Sequence, residues 1–401
     1  MSLSPNSSTP PATPAIEATR TRLRAQMPIT DRWAYFDHAA VAPISAPAKR
    51  AITEWAEQAA TQGDTVWLQW ERRVERTRRL AADLVNAPLE EIALVPNTTA
   101  GINLVAEGLD WREGDNVVVL ADEFPSNLYP WMHLEPLGVE TRRVPTDSGR
   151  LSLDRLRQAC DRRTRVVSVS WVGYATGYRQ DLHAIAEIAH AAGGESSDRA
   201  LFFLDAIQGL GVLPLDVQQT PIDFFAADGH KWLLGPEGAG VAFLREEHLP
   251  RLRPMSVGWN STVGAHCFDK LDPTLKPTAA RYEGGSANMP GMLALGASLE
   301  LLSEEPTEAV TASLLDITDY LCDRLASAGL KVDSHRAPEP TGHDPRSGIV
   351  MLNPETSPPD EARRRCTQAG IATMVRGGRL RLSPHAYTSY DEVDHLVATL
   401  A

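Results

Sequence analysis

The sequence predicts an α/β protein, with a large domain whose mainly parallel sheet is sandwiched by helices and a smaller α+β C-terminal domain. Three observations carry this. Short apolar runs recur at about 92–95, 116–120, 165–170, 201–205, 222–226 and 240–244. Runs of that length, apolar throughout and not alternating, suit strands buried on both faces. Amphipathic stretches such as 181–192 lie between them, and strand–helix alternation calls for a parallel sheet covered on both sides. Finally, 401 residues with 43% hydrophobic content can bury a large core, and a chain of this length is expected to form two domains.

Residues 1–15 are rich in Ser, Pro and Thr, without a basic start or an apolar stretch. They read as a disordered tail and not as a signal peptide. A helix within 16–30 is expected to pack with the small domain. The large domain spans 31–275, and Pro273 and Pro277 mark its exit. The small domain, 276–401, carries helices near 292–303, 311–328 and 390–400 and a strand near 347–352, with an exposed Pro-rich loop at 336–345. No internal repeat is visible. A net charge of −13 with no basic block argues against nucleic acid and anionic membranes as partners. Four cysteines, Cys160, Cys267, Cys322 and Cys366, are scattered without metal spacing. That usage suits a reducing compartment, and no apolar run is long enough to span a bilayer. A cytoplasmic location is the expectation.

The chemistry concentrates in Ala226-Ala227-Asp228-Gly229-His230-Lys231, which follows an apolar strand and precedes Gly235, Pro236, Gly238 and Gly240. Glycines let the backbone turn tightly there and proline fixes one φ. A lysine at such a turn can aim its amine into a cleft and form an imine with an aldehyde cofactor, of which pyridoxal 5′-phosphate is the common one. A solvated loop lysine has the same local sequence. Upstream, the run Leu201–Leu204 ends in Asp205, with Gln208 three residues on. At the carboxyl end of a parallel strand, a carboxylate can keep a pyridine nitrogen protonated, and Gln208 can donate to a phenolate; capping a following helix is the alternative role for Asp205. Asn97-Thr98-Thr99-Ala100-Gly101 follows the run 92–95 and opens a helical pattern. Two hydroxyls and free N–H groups at a helix N-terminus suit a phosphate, or serve simply as an N-cap.

Taken together, the order of phosphate turn, Asp-x-x-Gln and His-Lys before Gly-Pro-x-Gly-x-Gly resembles the class V aminotransferase family of fold-type I pyridoxal-phosphate enzymes. That family includes cysteine desulfurases, selenocysteine lyase, kynureninase and isopenicillin N epimerase. The resemblance runs from Tyr35-Phe36-Asp37-His38-Ala39-Ala40 to the carboxyl end. It implies that Lys231 is the Schiff-base lysine, with His230 beside it at the phosphate, Asp205 the pyridinium partner, Gln208 the phenolate donor, and Thr98 and Thr99 the phosphate turn. Phe124 falls where desulfurases stack a histidine on the cofactor ring; a phenyl face stacks but transfers no proton. Tyr174 falls where relatives have an asparagine, although a half-buried loop tyrosine has the same sequence context. Ser286, in Arg281-Tyr282-Glu283-Gly284-Gly285-Ser286, stands where a threonine usually reaches the neighbouring subunit's phosphate, which implies a homodimer. Arg381 resembles the arginine that grips the substrate carboxylate bidentately, with Arg376 and Arg379 as competitors. His38, His385 and Tyr387 either line the substrate pocket or pack.

Two departures shape the expected reaction. Desulfurases carry a nucleophilic cysteine shortly before the carboxylate arginine, and the stretch Gly370–Gly378 has none; Cys366 lies upstream in a helical pattern and reads as structural. Asp228 stands where desulfurases often have a phosphate-binding serine, and it is not assigned to the phosphate. The expectation is therefore a pyridoxal-phosphate enzyme acting on an amino acid by lyase, epimerase or aminotransferase chemistry, with Lys231 as general base at Cα. A cysteine desulfurase or selenocysteine lyase type of C–S or C–Se lyase is the alternative. A non-catalytic cofactor-binding protein and a nucleotide-binding α/β protein are rivals from other classes. The latter leaves Asp205, Gln208 and Lys231 without a task.

Overall fold

The computed structural model describes residues 12–194, 199–354 and 357–401; most of the expected N-terminal tail lies outside the described residues. Among the described residues, a seven-stranded sheet runs in the spatial order Ile92–Val95, Gly240–Leu244, Phe224–Asp228, Leu201–Asp205, Thr164–Ser170, Asn116–Leu120, Glu140–Val144. Only Gly240–Leu244 is antiparallel to its neighbours; the other pairings are parallel. Glu140–Val144 was not expected. Its sequence, Glu-Thr-Arg-Arg-Val, is no apolar run, because it is an edge strand paired on one side only. Charges there discourage further pairing.

The apolar runs point to both faces, as their composition requires. Phe202 and Leu204 pack into one buried layer, with Ile185 and Ala189 of the helix Leu182–Ala191. Leu201 and Phe203 pack into the other, with Ile102 and Val105 of the helix Thr98–Ala106. Each fully buried phenylalanine contributes about 1.5–3 kcal/mol. Gly101 allows that second helix to sit close, since a Cβ there would lie 2.5 Å from the Ala226 Cβ. This contact holds the helix N-terminus beside the end of Phe224–Asp228.

The carboxyl ends of the parallel strands form one edge: Ser170 lies opposite Asp205, and Asp205 opposite Ala226. Ligands of open α/β sheets bind outside that edge. Helices Ala46–Thr61 and Trp67–Leu84 pack against Met289–Ser303. A four-stranded antiparallel sheet, ordered Lys331–Val332, Val350–Asn353, Arg379–Leu382, Met374–Arg376, carries helices Thr307–Ser327, Pro359–Gln368 and Tyr390–Leu400. The first helix, Pro14–Arg24, docks on Thr307–Ser327 through Arg20 and Asp316.

Ala34–Tyr35 pairs in parallel with Ile371–Ala372, and Asp37 bridges to Ser383. This seam brings Asp37 and His38 against the strand that carries Arg381.

Candidate active site

Lys231 follows the strand Phe224–Asp228 after Gly229 and His230. The turn beyond it uses left-handed conformations at Leu234 (φ 56°) and Gly238 (φ 79°), not at Gly235 or Gly240. Gly240 is needed for closeness instead: a Cβ there would lie 2.6 Å from the Ala227 carbonyl oxygen. The Lys231 amine is buried. Burial lowers its pKa to about 8, against the opposing charges of Asp205 and Asp228 and with help from Arg381 and Arg376. A solvated loop lysine would be exposed, whereas Lys231 is buried.

Asp205 ends its strand fully buried, its Oδ1 accepting from the Ile207 N–H at 3.1 Å. No helix begins there, so the carboxylate closes a turn and caps nothing. Burial pushes its pKa up to about 6, against the Ile207 amide and the Lys231 charge. A cation placed against this carboxylate would offset the burial, and a pyridinium nitrogen is such a cation. Asp205→Asn is expected to cut turnover by about 10²-fold, the scale of one lost electrostatic contact to the reacting system. Steady-state kinetics at saturating cofactor would check this.

Gln208 is held firmly. Its Nε2 donates to the Ala39 carbonyl at 3.0 Å and its Oε1 accepts from Trp232 Nε1 at 2.9 Å, which leaves one amide hydrogen. At the helix N-terminus, Asn97 caps the Ala100 amide at 2.8 Å. The amides of Thr98 and Thr99 have no intrahelical acceptor. Thr98 Oγ1 accepts from the Asp228 amide at 2.9 Å, and Thr99 donates to Ser126 at 2.9 Å. His230 Nδ1 lies 3.0 Å from Asp228 Oδ2. Hydroxyls, free amides and an imidazole thus gather beside Lys231, a donor set that suits a phosphate.

Phe124 faces the lysine, its ring centroid 5.7 Å from Nζ, and Tyr174 meets it edge-on at 5.2 Å. Arg381 is buried, donating from Nη1 to the Tyr174 carbonyl at 3.0 Å and from Nη2 to Asp37 Oδ1 at 3.3 Å, with Nε unpartnered. Of its competitors, Arg379 pairs with Asp333 at 2.9 Å, whereas Arg376 bonds the Val375 carbonyl and its charge still reaches Lys231 and Asp37.

The histidines pack. His38 is fully buried, with Nδ1 against the Ser383 carbonyl at 2.9 Å and Nε2 against the Tyr387 hydroxyl at 2.7 Å. Burial lowers the His385 pKa to about 4 while its Nε2 meets the Trp232 carbonyl at 3.3 Å. Both rings stack near Trp232, the residue after Lys231, at centroid distances of 6.1 and 5.9 Å. Ser286 is not part of this cluster. It is exposed on a separate cleft of about 440 Å³ lined by Trp259, Arg78 and Glu283.

One residue of this region was missed. Glu123 is buried with Oε1 accepting from the Ser170 amide at 2.6 Å and its other oxygen against the Ser170 hydroxyl. Burial is the main cause that pushes its pKa up to about 8, and the Asp205 charge adds to it. It anchors the loop bearing Phe124 to the strand beside Asp205. An acidic residue directly before the stacking position was the available signal.

Comparison with known proteins bears on the reaction. The chain is 31% identical, over 94% of its length and 96% of the relative's, to a probable cysteine desulfurase of Methanothermobacter thermautotrophicus. In fold it resembles the apo cysteine desulfurase of Thermococcus onnurineus, with a TM-score of 0.82 at 24% identity over 98% of both chains. It also resembles a C-DES variant with glycine covalently linked to its pyridoxal-phosphate cofactor, with a TM-score of 0.86 at 22% identity, covering 94% of this chain and 98% of that one. The full-length likeness to a cysteine desulfurase overturns the expectation of lyase, epimerase or aminotransferase chemistry that set desulfuration aside. That expectation rested on one missing cysteine in Gly370–Gly378, a stretch that holds the strands Ile371–Ala372 and Met374–Arg376, and gave a local feature more weight than the whole chain. The cofactor and enzyme class stand: this is a pyridoxal 5′-phosphate-dependent enzyme. With the family's sequence pattern matching residues 34–395, the chain belongs to the class-V aminotransferase family.

Proposed function

We propose that the protein cleaves the Cβ–S bond of a cysteine-type amino acid, in the manner of the cysteine desulfurases. The similarity to such an enzyme along 94% of the chain carries this reading. The cofactor, when bound, acts as the electron sink that makes a substrate Cα–H bond acidic. The chain supplies the rest. Arg381 offers its fork to the substrate carboxylate, held in place by Asp37 and the Tyr174 carbonyl. Its unpartnered buried Nε is the kind of donor that a carboxylate satisfies. Lys231 takes the Cα proton on its amine, whose lowered pKa keeps a neutral fraction available near neutral pH. Asp205 would hold the ring-nitrogen proton of the bound cofactor, and Phe124 would offer its face to the ring.

Thiols of Cys160, Cys322 and Cys366 are raised to about 11, burial being the main cause, so each favours the unreactive thiol form. A dithiol is supplied in the assay as sulfur acceptor. We propose also that the enzyme works as a homodimer in the cytoplasm. Ser286 is exposed, and Val257, Val263, Phe268 and Leu271 leave apolar surface on the neighbouring loop. Apolar surface of this kind marks interaction sites.

The test is the reconstituted enzyme with L-cysteine, L-cystine or L-selenocysteine and dithiothreitol, with sulfide or selenide and the carbon product measured. Alanine formed one-for-one with sulfide means desulfuration; pyruvate and ammonium mean elimination with C–S cleavage. Absence of sulfur or selenium release from all three, with the cofactor spectrally intact, would sink the proposal.

A further inference from the structure

Asp228 is the residue that the phosphate reading leaves over. A carboxylate next to a phosphate site should repel a dianion, yet Asp228 is built into this one. It closes the strand Phe224–Asp228, and its amide donates to Thr98 Oγ1 at 2.9 Å. That bond pins it against the first turn of the helix at which the phosphate would sit. The side chain is buried, and Oδ1 has no hydrogen-bond partner. Oδ2 lies 3.0 Å from His230 Nδ1, close enough for a charge pair, but Nδ1 is not aligned as a donor and is itself buried without a hydrogen-bond partner. Two buried atoms without partners, Asp228 Oδ1 and His230 Nδ1, are costly to leave so. A small rotation of the imidazole would align them and leave Nε2 as the nitrogen for an outside acceptor. The other charged side chain of this turn, Lys231, is committed to the cofactor aldehyde.

We propose that Asp228 is a positioning residue for the cofactor phosphate: its carboxylate holds His230 as an imidazolium between itself and the phosphate. One ring N–H points to each anion, so the cation screens the two from one another. This acidic residue then strengthens phosphate binding, where direct repulsion would weaken it. The inference rests on the placement of the phosphate at Thr98, Thr99 and His230.

Its sign makes it testable on cofactor-free protein, by equilibrium binding of pyridoxal 5′-phosphate and of pyridoxal, which lacks the phosphate. Asp228→Asn should lower the preference for pyridoxal phosphate over pyridoxal about tenfold, the lower end of what orienting partners of histidine ligands contribute; the ratio cancels the effect of the lost charge on the Lys231 amine. His230→Gln should cost the same, and the double variant no more than either alone. Imidazole ¹⁵N spectra of the complex should show both His230 nitrogens protonated in the wild type and one in Asp228→Asn. An equal or greater preference for pyridoxal phosphate over pyridoxal in Asp228→Asn or Asp228→Ser would overturn the inference. The phosphate placement is judged separately, on Thr98→Val and Thr99→Val. If these keep the full preference for pyridoxal phosphate over pyridoxal, the placement fails and the inference falls with it.

Discussion

Replacing Lys231 by alanine should reduce turnover by about 10⁴-fold, the upper end of what a positioned general base contributes. The same change removes the amine that anchors the cofactor, so the purified variant should also lose the absorbance of lysine-bound pyridoxal phosphate. The expectation rests on position. The amine is buried, faces Phe124 at 5.7 Å and feels the charges of Asp205, Asp228 and Arg381. Burial lowers its pKa to about 8, so the protonated form dominates below that pH and the neutral nucleophile above it. The rate of cofactor uptake by cofactor-free protein should then rise about tenfold per pH unit up to roughly pH 8 and level off beyond. Stopped-flow absorbance measures this directly. A rate still climbing at pH 10 would show an amine with an ordinary lysine pKa and refute the buried placement.

The second large effect is on stability and lies away from the active site. Asp223 is almost fully buried and accepts from His248 Nε2 at 2.7 Å, His190 Nε2 at 2.9 Å, Arg199 at 2.8 Å and the Phe202 amide at 2.7 Å. It thereby ties the helix Leu182–Ala191 and the segment after Gly240–Leu244 to the strand that ends in Asp205. Asp223→Ala should destabilise the fold by about 3–5 kcal/mol, because it strands the Arg199 charge and several buried donors. Burial alone would raise the carboxyl's pKa, but the bonds from His190, His248 and Arg199 outweigh it and hold the group well below the usual range. With the folded pKa depressed, the stabilisation is present above the unfolded value near about 4 and is lost as pH falls through the folded one. Urea unfolding at pH 7 and pH 3 gives both numbers. A loss under about 1 kcal/mol at pH 7 would place the network among those of little net worth.

How much of this was legible in the sequence differs by residue. Lys231, Asp205, Thr98 and Thr99 stood out as candidates because each follows an apolar run, and strand ends are visible as the place where apolar residues stop. The resemblance favoured Arg381 over Arg376 and Arg379, although all three sit in one short polar-apolar stretch. The four-stranded sheet separates them, burying Arg381 against Asp37 and turning Arg379 to Asp333. His38 offered the opposite lesson. A histidine in a motif segment suggested a substrate contact, but the seam between Ala34–Tyr35 and Ile371–Ala372 buries it with both ring nitrogens engaged.

By itself the sequence determined most strands of the large sheet and the succession of its helices, and it singled out Lys231, Asp205, Thr98 and Thr99 as candidates for the cofactor site. These follow from hydrophobic runs and turn chemistry, which act over a few residues. Only the tertiary structure buried Arg381 against Asp37, and Glu123 against Ser170 at the strand end opposite Asp205. Those outcomes depend on contacts between residues far apart in the chain and on the burial that shifts their charges. Neither is written in any local pattern.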